Sequence, residues 1–101
     1  MKAIGDWAAA VTFGSNGPQP QIFSEDNRLK VILAGLEPGQ RIPVHPEGSS
    51  VYTFLEGRGT MHVDGEIVPV EQGVTVIMPE GAKRGMEAET RLVFLAAVAL
   101  P

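Results

Sequence analysis

The fold is decided by residues 51–70, Val51-Tyr52-Thr53-Phe54-Leu55-Glu56-Gly57-Arg58-Gly59-Thr60-Met61-His62-Val63-Asp64-Gly65-Glu66-Ile67-Val68-Pro69-Val70. Short runs rich in β-branched and aromatic residues alternate here with glycine turns, which is the pattern of strands rather than helices. Asp64-Gly65 is the strongest signal, because a two-residue hairpin loop needs positive φ and this dipeptide tolerates it. Strands over Val51–Glu56, Thr60–Asp64 and Glu66–Val70 are therefore predicted, the last two paired antiparallel. The same alternation continues upstream in Gln21–Ser24, Leu29–Leu36 and Arg41–His45 and downstream in Val74–Met78, Ala82–Glu87 and Arg91–Val98. Breakers separate them: Pro38-Gly39, Glu47-Gly48-Ser49, Glu71-Gln72-Gly73 and Pro79-Glu80-Gly81. Many short strands at this spacing predict an all-β sandwich or barrel. Leu29–Leu36 and Arg91–Val98 are nearly continuous apolar runs, so both faces of each should be covered, by the barrel interior and by a second sheet or subunit. The alanines between Leu95 and Leu100 leave a helix open as the alternative for the last run.

At 101 residues, with 44% apolar and 20% charged, the chain has the composition of one globular domain. Residues 1–20 form an N-terminal arm, in which an apolar lead from Trp7 to Phe13 ends in Gly14-Ser15-Asn16-Gly17-Pro18-Gln19-Pro20. Residues 21–101 form the barrel. The arm is expected to be extended or exchanged with a second copy, and a homodimer is expected through Trp7, Phe13, Val93 and Leu95, since the apolar strands would otherwise be exposed. A net charge of −4 with no basic cluster beyond Lys83-Arg84 excludes a phosphate-neutralising nucleic-acid binder. The absence of cysteine excludes thiolate metal sites, disulfides and cysteine nucleophiles. The longest apolar stretch, Leu92 to Leu100, is nine residues, well short of the ~20 that a membrane helix requires. No membrane span and no signal peptide are expected, and the expected location is cytoplasmic.

Two further stretches carry a family resemblance. From Gly39, five residues lead to His45, and Glu47 follows two positions on; from Gly73, five residues lead to Pro79, then Gly81, then Arg84 and Ala88. These spacings, with the strand and hairpin at 51–66, resemble the two motifs of the cupin superfamily. The resemblance implies a cupin-type double-stranded β-helix, a jelly-roll-like antiparallel barrel. It also implies a divalent metal held by two His and one Glu of the first motif and one His of the second. Here only His45 matches. Glu47 stands at the second His, Arg84 at the second-motif His and Ala88 at the usual Asn. The Glu position falls on Ser50 when counted from Gly57 and on Tyr52 when counted from Gly59.

One His and one carboxylate seldom hold a transition metal, so no tightly bound metal is favoured. The strand pattern turns Arg84 to the apolar side, shared with Ala82 and Met86. A buried guanidinium needs a partner: Glu47, the face of Tyr52 or Phe54, or an anionic ligand. The candidate ligand-binding set is His45, Glu47, Tyr52, Phe54, Arg84 and Met86. The leading reading is a barrel that binds a small anionic molecule such as a carboxylate without metal, against a structural reading in which Arg84 and Glu47 merely pin the barrel. One alternative is a metal-dependent isomerase or oxygenase using His45, Glu47 and His62, with Tyr52 as candidate catalytic acid or base. The other is a non-catalytic sensor or interaction module acting through the arm and last strand.

Overall fold

The computed structural model describes all 101 residues. It contains one short helix, α1 (Trp7–Ala10), and nine strands: β1 (Gln19–Glu25), β2 (Leu29–Leu36), β3 (Arg41–Pro46), β4 (Ser50–Glu56), β5 (Arg58–Val63), β6 (Glu66–Glu71), β7 (Thr75–Met78), β8 (Lys83–Ala88) and β9 (Leu92–Ala99). Each run predicted as a strand is one. The last run is a strand rather than a helix because β9 lies between β2 and β4 and bonds to both along its length. Central placement in a sheet overrides the helix propensity of its alanines.

All pairings are antiparallel. They form a five-stranded sheet in the order β1-β2-β9-β4-β7 and a four-stranded sheet in the order β3-β8-β5-β6. The two face each other as a jelly roll, as the resemblance implies. Asp64 and Gly65 have φ of 49° and 83°, so the β5–β6 turn takes the doubly left-handed form expected of this dipeptide. No helix is long and apolar enough to cross a membrane.

Inward side chains from both sheets form the core: Ala34, Leu36, Tyr52, Phe54, Met61, Val70, Met78, Met86, Leu92, Phe94, Ala96 and Val98 among them. Phe94 is its centre, stacked on Tyr52 with centroids 5.1 Å apart and tilted against Phe54 at 6.1 Å. The barrel is thus filled at this level, and space remains only towards β3.

Part of the second face of β2 and β9 is covered by the chain's own arm, around Gly35. Phe13 and the Thr12 carbonyl lie over Gly35, where a Cβ would come within 2.4 Å of that oxygen. Arg91 stacks on the Phe13 ring at 4.2 Å and pairs with Glu37, and Gln40 Nε2 donates to the Gly14 carbonyl. Leu33 and Val93 are thereby buried outside the barrel core. Asp6 caps α1 by accepting from the Ala9 N–H at 3.3 Å. Phe13 and Val93 are therefore satisfied within one chain, and only Trp7 and Leu95 of the four expected contact residues border an open groove on this face.

Candidate functional site

β3, β4 and the turn between them bring His45, Glu47, Ser50 and Tyr52 to one end of the barrel, and β8 brings Arg84 beneath them. His45 is paired with Arg84 across the β3–β8 ladder, which loses register between Ile42 and His45. That irregularity re-aims the strand so that His45 turns to the barrel mouth. Ser50 and Tyr52 are two residues apart on β4 and share its inward face.

Arg84 is 1% exposed. Its Nε and Nη2 donate to the Ala82 carbonyl at 3.1 and 3.0 Å, Nη2 also donates to the Glu47 carbonyl at 3.4 Å, and Nη1 donates to Ser50 Oγ. Nη1 also lies 3.5 Å from Glu47 Oε1. Every nitrogen of the guanidinium is thus occupied by the protein, which offsets the cost of burying a charge. Arg84 points inward to Glu47, as the strand pattern implies, but it is sealed beneath the mouth and does not line the cavity above it.

That cavity, about 290 Å³, is lined by Pro18 and Pro20 of the arm and β1, Ile32 and Ala34 of β2, Arg41 to Pro43, His45, Glu47, Tyr52 and Phe94. Tyr52 donates its hydroxyl to Glu47 Oε1 at 2.7 Å. Burial first, and then Glu47 through its hydrogen bond and its charge, push the Tyr52 pKa well above the ordinary phenol value. The phenol accordingly stays protonated at neutral pH, and its proton is committed to Glu47. His45 Nδ1 is 2.8 Å from the Pro43 carbonyl, and Nε2 is 3.7 Å from Glu47 Oε2.

Of the sequence candidates, the mouth therefore assembles His45, Glu47 and Tyr52. Ser50 sits deeper and serves Arg84, so Tyr52 is the residue at the ambiguous position whose oxygen reaches the cavity. Phe54 and Met86 are packed into the core and do not line it. His62 lies elsewhere. Its neighbour Met61 fills the core, so alternation along β5 turns His62 to the outer face of the four-stranded sheet, opposite Gly85. It borders a separate depression there with Arg41, Val44 and Glu87. No three His, Cys, Asp or Glu side chains converge anywhere in the chain. The residues that stand at the family's ligand positions do not fit a metal, because a guanidinium cannot coordinate one and its charge would repel one.

Sequence reasoning missed the wall formed by Pro18, Pro20, Ile32 and Ala34. The nearly continuous apolar run of β2 does not say which of its residues face inward, and nothing in the arm's sequence says which end of the barrel it crosses.

The Cupin domain family model matches residues 32–98. A cupin described as RmlC-like from Desulfovibrio desulfuricans is 27% identical, with a TM-score of 0.87 over 98% of this chain and 96% of its own. A conserved protein of unknown function from Streptococcus pyogenes is 24% identical, with a TM-score of 0.89 over 100% of this chain and 90% of its own. Salicylate 1,2-dioxygenase from Pseudoaminobacter salicylatoxidans, in its W104Y form, shares the fold at 21% identity and a TM-score of 0.75, over 83% of this chain and 27% of that enzyme. No curated protein matches the chain in sequence.

Proposed function

The chain belongs to the cupin family, and from that premise we propose that it is a metal-independent binding protein whose barrel mouth takes up a small, uncharged, largely apolar molecule. The observation that carries this reading is the enclosure of Arg84 beneath Glu47. The guanidinium stands where the family places a metal-binding imidazole, and it is spent on protein acceptors. What faces the cavity is instead the Glu47 carboxylate, which disfavours an anion. Arg41, the remaining cation at the rim, has a side chain 72% exposed and is paired with Glu87 at 3.4 Å. Such an exposed pair offers an anion little. At about 290 Å³ the cavity lies at the small end of ligand sites, roughly 300–1,000 Å³, and its walls are mainly proline, aliphatic and phenyl groups.

Phenol and benzoate form a matched pair for the test, with the same ring and different charge. In a metal-free buffer, phenol is expected to shift the backbone amide resonances of His45, Glu47, Tyr52 and Phe94, and benzoate to leave them in place. Tighter binding of benzoate would overturn the reading in favour of an anion site. So would near-stoichiometric zinc, iron, nickel or manganese that is lost in His45→Ala.

A further inference from the structure

Two acceptors in the mouth have no donor of their own. The Pro43 carbonyl can only accept, so the 2.8 Å contact places a proton on His45 Nδ1. In the neutral ring Nε2 then carries a lone pair. Across from it, Glu47 divides its work between its two oxygens. Oε1 takes the Tyr52 hydroxyl and faces Arg84, whereas Oε2 receives no hydrogen bond from the protein and lies 3.7 Å from Nε2. Both residues line the same cavity.

We infer that the mouth is built for a molecule bearing two adjacent hydroxyl groups on an apolar body, a vicinal diol whose two O–H groups donate in parallel to His45 Nε2 and Glu47 Oε2. This deepens the reading above and rests on it. Adjacent ring hydroxyls are slightly closer together than the two acceptors, so their O–H bonds splay outward onto them. Hydroxyls one carbon further apart overshoot. A diammonium or amidinium would offer the same pair of donors, but it would bring positive charge towards Arg84, whose guanidinium already neutralises Glu47. The apolar ring then meets Ile32, Ile42, Pro18 and Phe94. A molecule with one hydroxyl satisfies one acceptor and leaves the other desolvated.

The test compares catechol, resorcinol and phenol on the full chain, at slightly alkaline pH, under nitrogen and with EDTA present, read by amide resonance shifts. Catechol is expected to bind about tenfold tighter than phenol, the worth of one further hydrogen bond to a charged acceptor. Resorcinol is expected to bind no tighter than phenol. His45→Ala should abolish the catechol advantage while phenol still binds. Glu47→Gln should do the same, because its amide can donate to His45 Nε2 and so consumes both acceptors internally. Equal binding of catechol and phenol to wild type would overturn the inference and leave the apolar site standing. So would an advantage that persists in both variants, or one that appears only without EDTA. Failure of all three probes to bind would overturn the site reading itself.

Discussion

Arg84 and Tyr52 are the two side chains on which the mouth depends, and each makes a prediction of its own. Arg84→Met leaves the Glu47 carboxylate, 16% exposed, without its cation and leaves Ser50 and the Ala82 carbonyl without a donor. A loss of about 3 kcal/mol in unfolding free energy is expected, because breaking one side of an enclosed ion pair strands the other. Arg84→Met combined with Glu47→Met should be less destabilised than the two single losses added together. Denaturant titration of all three variants checks this, and strict additivity would refute the coupling. Tyr52 is the only tyrosine, so its phenolate absorbance reports one site. Its native pKa lies above the ordinary value of 10.0. The folded state holds the proton more tightly than the unfolded chain, so the group's contribution to stability is complete below pH 10 and is lost as pH rises towards the native value. Phenolate absorbance should therefore stay absent in the native protein above pH 10 and emerge together with loss of the far-UV strand signal. Free titration of Tyr52 in the folded state would contradict the hydrogen bond to Glu47.

Among the elements, β2 and β9 are the ones whose two faces have different fates. Their inward residues fill the core, and part of their outward face meets the arm, with Gly35 as the seat of Phe13. Gly35→Ala puts a methyl group within 2.4 Å of the Thr12 carbonyl and 3.0 Å of the Phe13 ring. The arm must lift, at a cost of about 1–3 kcal/mol. Trp7, the only tryptophan, lies in this arm, so its fluorescence should shift to the red while the far-UV spectrum of the barrel persists. An unchanged Trp7 spectrum would show that the arm does not depend on this seat. The strand runs, the Asp64-Gly65 hairpin and the inward face of Arg84 on β8 were legible in the sequence, because period-2 alternation and turn chemistry are local properties. The facing of His62 was not, because it depends on which residues of β5 oppose β8, and a slip of one residue would reverse it.

For the whole molecule, the arm leaves part of the five-stranded sheet uncovered. Outward positions Leu29, Val51 and Ile77 are exposed, and beside them Ile4, Trp7, Phe23, Val31, Leu55 and Leu95 border an apolar groove of about 370 Å³. A homodimer is proposed on this face, through Trp7, Leu95, Val51 and Ile77 rather than through Phe13 and Val93. Light scattering at micromolar concentration should give twice the chain mass, and Val51→Lys with Ile77→Lys should halve it. The mass of one chain for wild type would refute the dimer.

By itself the sequence determined the strands, the turns, the barrel and the loss of the metal ligands, since each follows from residue type at a fixed spacing along the chain. It also placed Arg84 inside and offered Glu47 among its possible partners, because burying a guanidinium demands a compensating group nearby. Tertiary structure alone decided that Arg84 is saturated and shut away from the cavity, and that Phe94 belongs both to the core and to the cavity wall. It decided too that prolines of the arm wall the site and that two acceptors are left facing each other across it. These depend on how side chains from β2, β3, β4, β8 and the arm share one volume. That sharing is fixed by packing between segments distant in sequence, which no local pattern records.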